Sequence, residues 1–243
     1  MTPLVSIIIP TYNRAHLIGE TLESLIAQSN TNWECIIVDD GSTDDTLKLL
    51  NNYCKKDNRV QIHLRPKYFP KGANACRNFG YDLCKGEYIQ WFDSDDLMHP
   101  DKLKIKLEMA LKYQSDVIID THSTEDKIVL IDNPKIETFE SAVFYIDYIL
   151  GKKPVITNDV MVKRSIINEL RFDEKLHKAQ EYEFFSRLFN QNVKYCFIEL
   201  SLTIYRETKD SISKNTSSGN VKQVESLIYL SGNNLIMLLF LFI

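Results

Sequence analysis

Residues 5–14 read VSIIIPTYNR, an apolar run rich in β-branched residues that ends abruptly in a polar, proline-led turn. A run of this kind without alternation fits a strand buried on both faces, as a parallel sheet provides. The segment after it places Ile18, Leu22, Leu25 and Ile26 on one helical face. The strand–helix unit then recurs. CIIVDD (35–40) precedes a helix carrying Leu47, Leu50 and Tyr53, and VQIHL (60–64) precedes a helix over 73–84 stopped by Gly86. YIQWF (88–92) precedes a helix over 100–112, and DVIID (116–120) follows. Such alternation predicts an α/β fold: a Rossmann-like, mostly parallel central sheet with helices on both faces.

Ligands of such sheets collect beyond the carboxyl ends of the strands. There this chain turns polar: Thr11-Tyr12-Asn13-Arg14 after the first strand, Asp39-Asp40-Gly41-Ser42 after the second, Asp93-Ser94-Asp95-Asp96 after the fourth. Three polar clusters are expected to meet on one edge. Beyond residue 122 the alternation fades into an α+β pattern. A strand pair is expected around 127–132, with helices near 139–150 and 179–190. The organisation read from this is 1–122, 123–213 as the second half of the same domain, and 214–243 as linker, helix and apolar tail. The tail LIMLLFLFI (235–243) falls far short of the ~20 residues a spanning helix needs. It reads as a packed terminal helix, a segment lying in a membrane interface, or an end created by truncation.

With 243 residues, 44% hydrophobic and 26% charged, the composition is that of a globular chain of one large or two modest domains. Twenty-nine basic against thirty-three acidic residues leave a net charge of −4, so no nucleic-acid partner is expected. The five cysteines are scattered and never spaced C-x-x-C, which argues against a disulfide framework or zinc site and for a reducing cytoplasm. No basic residue precedes the first apolar run, so the layout of a signal peptide is missing.

Asp93, Asp95 and Asp96 crowd three carboxylates into four positions. Two unit charges ~4 Å apart repel by about 4 kcal/mol at an effective dielectric of ~20. A divalent cation removes that conflict. Oxygen ligands suit Mg²⁺ or Mn²⁺, and a metal held by one or two carboxylates keeps positions open for diphosphate oxygens. Taken alone, the D-x-D reads equally as an acidic turn capping the next helix. Ser42 or Thr43 is expected to cap the second helix. Asp40 can accept from a base ring N–H, and Tyr12 offers either a stacking face or a core side chain. Gly72 permits close backbone approach, while Arg77 can reach a phosphate, a carboxylate or a neighbouring acid.

In this order and spacing, VSIIIPTYNR, VDDGSTDDT, KGANACRNFGYDLCKGEYI and FDSDD closely resemble glycosyltransferase family 2. The resemblance covers residues 3–122, and more loosely 155–206. It implies the GT-A fold, a nucleotide-sugar donor (usually a UDP-sugar), Mg²⁺ or Mn²⁺, and transfer with inversion to an acceptor hydroxyl. Residues 1–122 then form the nucleotide-sugar-binding half and 123–213 the acceptor-binding half. By the same resemblance Pro10, Thr11, Tyr12 and Arg14 surround the nucleotide, with Gly72, Arg77 and Ser94 also on the donor. Asp40 meets the uracil, Asp93 the ribose or donor sugar, and Asp95 the metal, with Asp96 beside it.

An inverting displacement needs one general base on the acceptor side and no protein nucleophile. The family places that base in an E-D pair opening a late helix. Here the pair reads Gln180-Glu181, so Glu181 falls on the base position with one methylene more than Asp. Glu183 and Asp173 stand next in line. His99 and His177 flank the two acidic sites, as contacts to phosphate or acceptor or as plain surface histidines. The resemblance implies a glycan or lipid-linked acceptor in bacterial-type surface polysaccharide synthesis. Lys152-Lys153 and the tail are compatible with loose contact at the inner face of the plasma membrane. The Gln180-Glu181 departure also admits an inactive or truncated nucleotide-sugar-binding protein. A processive synthase with a Q-x-x-R-W signature is ruled out, because the only tryptophans are Trp33 and Trp91. Oligomeric state is not legible in the sequence.

Overall fold

A computed structural model describes residues 2–124, 134–176 and 178–206. The first half alternates as expected: β1 (Val5–Thr11), α1 (Ile18–Ile26), β2 (Trp33–Asp39), α2 (Thr46–Lys56), β3 (Val60–Leu64), α3 (Ala73–Leu83) and β4 (Tyr88–Trp91). There follow β5 (Leu97–Met98), α4 (Lys102–Tyr113), β6 (Val117–Ser123), β7 (Ile136–Glu140) and α5 (Ser141–Ile149). A 3₁₀ turn (Thr157–Asp159), β8 (Val160–Lys163), α6 (Arg164–Ile167), α7 (Gln180–Phe189) and β9 (Lys194–Ile204) complete the described chain.

The strands form one nine-stranded sheet in the order β3-β2-β1-β4-β8-β6-β9-β5, with β7 on β9. β3, β2, β1 and β4 pair in parallel. β8 enters reversed between β4 and β6, which restores the common direction, and β9 continues it. Only β5, β7 and β8 run against the rest of this mostly parallel sheet. Every residue of β1 and β2 is buried, which accounts for their lack of alternation.

The pleat divides the core into two layers. Val5, Ile7 and Ile9 face Leu22 and Leu25 of α1, Leu50 of α2, and Leu103 and Leu107 of α4. Ile8, Ile36 and Val38 face Cys76 of α3 and the aromatic layer of Phe144, Phe184, Phe185 and Phe189. Thus α1, α2 and α4 cover one face and α3, α5 and α7 the other. All five cysteines are free.

Two local expectations change. Phe139 ends up in β7 opposite Tyr195, so the helix starts at Ser141; strand pairing with β9 overrides helical periodicity. Neither Ser42 nor Thr43 caps α2. Both are drawn to the β1–α1 turn, Ser42 Oγ accepting from the Asn13 amide and the Thr43 amide donating to Asn13 Oδ1, while Asp44 Oδ1 takes the Thr46 amide. Lys152 and Lys153 pair with Asp147 and Glu137. The expected strand pair at 127–132 and the segment 214–243 lie outside the described residues. Among the described residues no helix is long and apolar enough to cross a membrane.

Gly86 does more than follow a helix end. Its amide donates to Ser6 Oγ, which donates to Glu34, and a Cβ here would lie 2.5 Å from both the backbone nitrogen and the hydroxyl of Ser6. Gly86→Ala is therefore expected to destabilise the fold by about 1–3 kcal/mol, as forced overpacking does, read as a lowered urea midpoint.

Candidate active site

The carboxyl ends of β1, β2 and β4 open into a cleft of about 600 Å³. Its opposite wall comes from the start of α7 and the residues after β9. Pro10, Thr11, Tyr12, Arg14, Asp40, Arg77, Asp93, Ser94, Asp95 and Glu181 all line it. The three strand-end clusters and the late-helix carboxylate thus share one cavity, although up to 171 sequence positions separate them (Pro10 to Glu181: 181 − 10 = 171).

Two turns make the wall at the ends of β1 and β2. Asn13 sits at φ 50°, a left-handed conformation Asn tolerates, and its side chain ties the β1–α1 turn to the β2–α2 turn. Asp39 turns inward, its Oδ2 accepting the amides of Gly41 and Ser42 at 2.9 Å each. Asp40 faces the cleft with both oxygens engaged: Oδ1 pairs with the Arg65 guanidinium, and Oδ2 accepts the Gly72 amide at 3.0 Å. Gly72, at φ 135°, holds a conformation that disfavours side chains and delivers its N–H to Asp40 while lying just behind the lining. A carboxylate so held keeps lone pairs for a further donor such as a base N–H. Tyr12 is 40% exposed, with Lys71 Nζ 4.1 Å from its ring centre, so it is a cleft residue rather than a core one.

The acidic loop after β4 divides its carboxylates. Asp93 Oδ1 pairs with buried Arg77 at 2.9 Å, and Asp95 Oδ2 with Arg14 at 3.3 Å. Burial raises the pKa of Asp95, with the Asp93 charge adding to it and Arg14 opposing. Asp96 faces inward, away from the lining, where its oxygens accept the Asn158 amide side chain and the Arg206 backbone N–H. Burial, with Asp93 beside it, pushes its pKa up to about 8. Asn158 also accepts the Asp93 amide at 2.8 Å, so one buried side chain braces the loop twice.

On the far wall, Glu181 accepts a 3.0 Å hydrogen bond from Thr157 Oγ1. It lies in the first turn of α7, after Ala179 at φ 52°, while Gln180 bonds back to the Leu176 carbonyl. Glu183 points elsewhere, buried against Arg187 one turn on. Asp173 is outside the cleft, accepting the Asn74 side chain and the Lys175 amide. His99 is outside as well: its Nδ1 takes the Asp101 amide at the start of α4, and burial lowers its pKa. His177 lies outside the described residues.

Sequence alone does not single out Arg65, His122, Thr157, Asn158, Tyr205 or Arg206. Arg206 reaches the site because β9 pairs with β5, Ile204 opposite Leu97, which carries the chain back to the acidic loop. There it bonds the Asp95 carbonyl, Thr21 and Glu20. Beneath the cleft, Lys102 and Lys106, one turn apart on α4, clamp fully buried Asp120 at 2.7 and 2.6 Å. Burial pulls the Lys106 pKa down to about 8 against the attraction of Asp120. The Lys-x-x-x-Lys spacing facing a strand aspartate is the one local signal for that network.

A family model described as Glycosyl transferase family 2 matches residues 6–192. An uncharacterized glycosyltransferase of Haemophilus influenzae is 35% identical over 184 residues, 75% of this chain and 70% of that protein. The Escherichia coli UDP-Glc:alpha-D-GlcNAc-diphosphoundecaprenol beta-1,3-glucosyltransferase WfgD is 29% identical over 218 residues, 87% of this chain and 80% of that one. Three further relatives are much longer, the chain spanning between 25% and 29% of them. Among solved structures, S. aureus TarS 1-349 in complex with UDP-GlcNAc superposes with a TM-score of 0.71 at 20% identity, covering 93% of this chain and 65% of that one.

Proposed function

The chain belongs to glycosyl transferase family 2, and from that premise we propose that it is an inverting transferase with a UDP-sugar donor. The acceptor is a hydroxyl of a glycan or lipid-linked sugar, and the setting is surface polysaccharide synthesis at the inner face of the plasma membrane. Residues 1–122 bind the donor and 123–213 the acceptor. The relative named for a diphosphoundecaprenol acceptor supports the lipid-linked form.

This reading rests on Glu181, a carboxylate held by Thr157 on a wall of its own, facing the cavity that Asp93 and Asp95 face. In a single displacement, Glu181 takes the proton of the acceptor hydroxyl as that oxygen attacks the anomeric carbon. The diphosphate leaves on the opposite side. Asp40 reads the uracil N–H, Tyr12 offers its exposed face to the base, and Arg77, with Asp93, orients the sugar side. Pro10, Thr11 and Ser94 shape the wall between them.

The residues present fit a divalent cation. Asp93 and Asp95 offer hard oxygen donors to the cleft, and the Asp93 charge adds to the burial that raises the pKa of Asp95. Two carboxylates leave coordination positions that diphosphate oxygens could fill. Bound Mg²⁺ or Mn²⁺ would neutralise charge on the leaving diphosphate.

The testing experiment is calorimetric titration with UDP, with and without Mn²⁺, followed by assays of UDP-sugar hydrolysis and transfer. UDP binding with neither hydrolysis nor transfer would make the chain a nucleotide-sugar-binding protein instead. Thr157→Val, which removes the hydroxyl holding Glu181, is expected to lower kcat about tenfold with UDP affinity unchanged, because misplacing a base slows chemistry without touching the donor. Equal kcat would show that Thr157 does not position Glu181.

A further inference from the structure

One wall of the cleft is built from charges that the transfer described above leaves unused. Asp120, clamped by Lys102 and Lys106, anchors it from below. Lys106 also donates to the backbone carbonyl of Asp159 at 2.7 Å, which pins the 3₁₀ turn to α4. On that turn Asp159 is fully buried. Its Oδ2 accepts the Ile156 amide at 3.0 Å and meets His122 Nδ1 at 2.9 Å, while its Oδ1 is buried without a hydrogen-bond partner.

His122 reaches the cleft through an irregularity in the sheet. Pairing between β6 and β9 passes from Thr121 opposite Ser201 to His122 opposite Thr203, skipping Leu202. Such irregularities re-aim side chains. The His122 side chain lines the cavity, 27% exposed, with the Tyr205 ring centre 6.1 Å away. A carboxylate on Nδ1 fixes the ring and leaves Nε2 for a ligand. The hydrogen bond that Nδ1–H donates to Asp159 raises the histidine pKa above its ordinary value, against the opposing effect of burial. Nε2 therefore bears a proton over a wider pH range than in a free histidine, and charge-assisted donors of this kind suit anionic oxygens.

The three arginines of the cleft already have anionic partners: Arg14 has Asp95, Arg77 has Asp93, and Arg206 has Glu20, while Lys178 lines the cleft beside Glu181. The turn that fixes His122 also holds the Asp93 amide through Asn158 and Glu181 through Thr157. Acidic loop, base and imidazole therefore share one rigid support.

We propose that His122, oriented by Asp159, donates from Nε2 to a phosphate oxygen of a diphosphate bound in the cleft. The inference rests on the cleft being a nucleotide-sugar site. The diphosphate is either that of the donor or that of a lipid-linked acceptor, and binding experiments separate the two. The full chain, wild type, His122→Gln and Asp159→Asn, is titrated in Mn²⁺ with UDP and with uridine. Inorganic diphosphate is titrated both alone and after saturation with UDP. Both variants should bind UDP about tenfold or more weaker, with uridine affinity unchanged, if the donor diphosphate is the partner. Unchanged UDP affinity with weakened binding of inorganic diphosphate to the UDP-saturated protein assigns the contact to the acceptor. His122→Asn gives the same reading should the Gln variant fail to fold. Equal affinities in wild type and variants for both probes, or no binding of either probe by wild type, overturns the proposal. If wild type binds inorganic diphosphate but not UDP, the UDP-sugar reading fails while the diphosphate arm still decides the role of His122.

Discussion

Glu181→Gln is expected to lower turnover by about 10²–10⁴ while leaving UDP affinity within a factor of two, the signature of losing a general base. Gln keeps the size of the side chain and can still accept from Thr157 Oγ1, so the wall should survive the change. What it loses is the ability to take a proton. Donor affinity should hold because the proposed nucleotide contacts lie on β1, β2 and the acidic loop, across the cleft. Glu183→Gln supplies the contrast. Glu183 is buried against Arg187, whose guanidinium also reaches the Arg171 carbonyl, so that substitution should lower stability and leave kcat nearly unchanged. Steady-state rates with a UDP-sugar, alongside thermal unfolding, separate the two. Full activity in Glu181→Gln would remove Glu181 from the mechanism.

The second large effect is expected at the acidic loop. Asp95→Ala should weaken Mn²⁺-dependent UDP binding by about 100-fold and reduce turnover at least as much, since the charge on the leaving group loses its counterion. Metal-independent binding should not fall, because Arg14 is released from Asp95 and becomes available to the phosphates. Asp96→Asn, one position on, should behave differently. Asp96 is 1% exposed and accepts from Asn158 and the Arg206 backbone, so replacing its carboxyl should act on stability and loop order. Calorimetry with UDP, with and without Mn²⁺, reads both variants. Unchanged Mn²⁺-dependent affinity in Asp95→Ala would sink the metal assignment.

These contrasts mark what lies in the chain itself and what lies in its folding. The strands at 5–11 and 33–39 were readable because burial on both faces leaves a largely continuous apolar run, a local property. Their polar ends were readable for a related reason: once a parallel sheet is inferred, every strand terminus of like direction falls on one edge, so Tyr12, Asp40 and Asp95 had to meet. Glu181 came from resemblance to family motifs, and its placement in the cleft needed α7 to pack across the sheet.

Other features had no local signal. That Asp95 faces the cleft while Asp96 turns inward depends on Asn158, 62 positions away, and Arg206, 110 away. Strand alternation does not decide it, since the loop is irregular. Arg65 shows nothing in sequence beyond a basic residue after an edge strand, yet it holds Asp40. His122 looks like a solvated strand end until the skipped residue in β9 and buried Asp159 turn it into the cavity.

Periodicity and composition therefore determined the layers, the parallel edge and the chemical character of the site, because each depends on residues within a few positions of one another. Which carboxylate faces the cleft, which braces a loop, and which imidazole reaches the cavity were decided by hydrogen bonds spanning tens of residues. Those bonds exist only once the sheet has brought β6, β8 and β9 against β4.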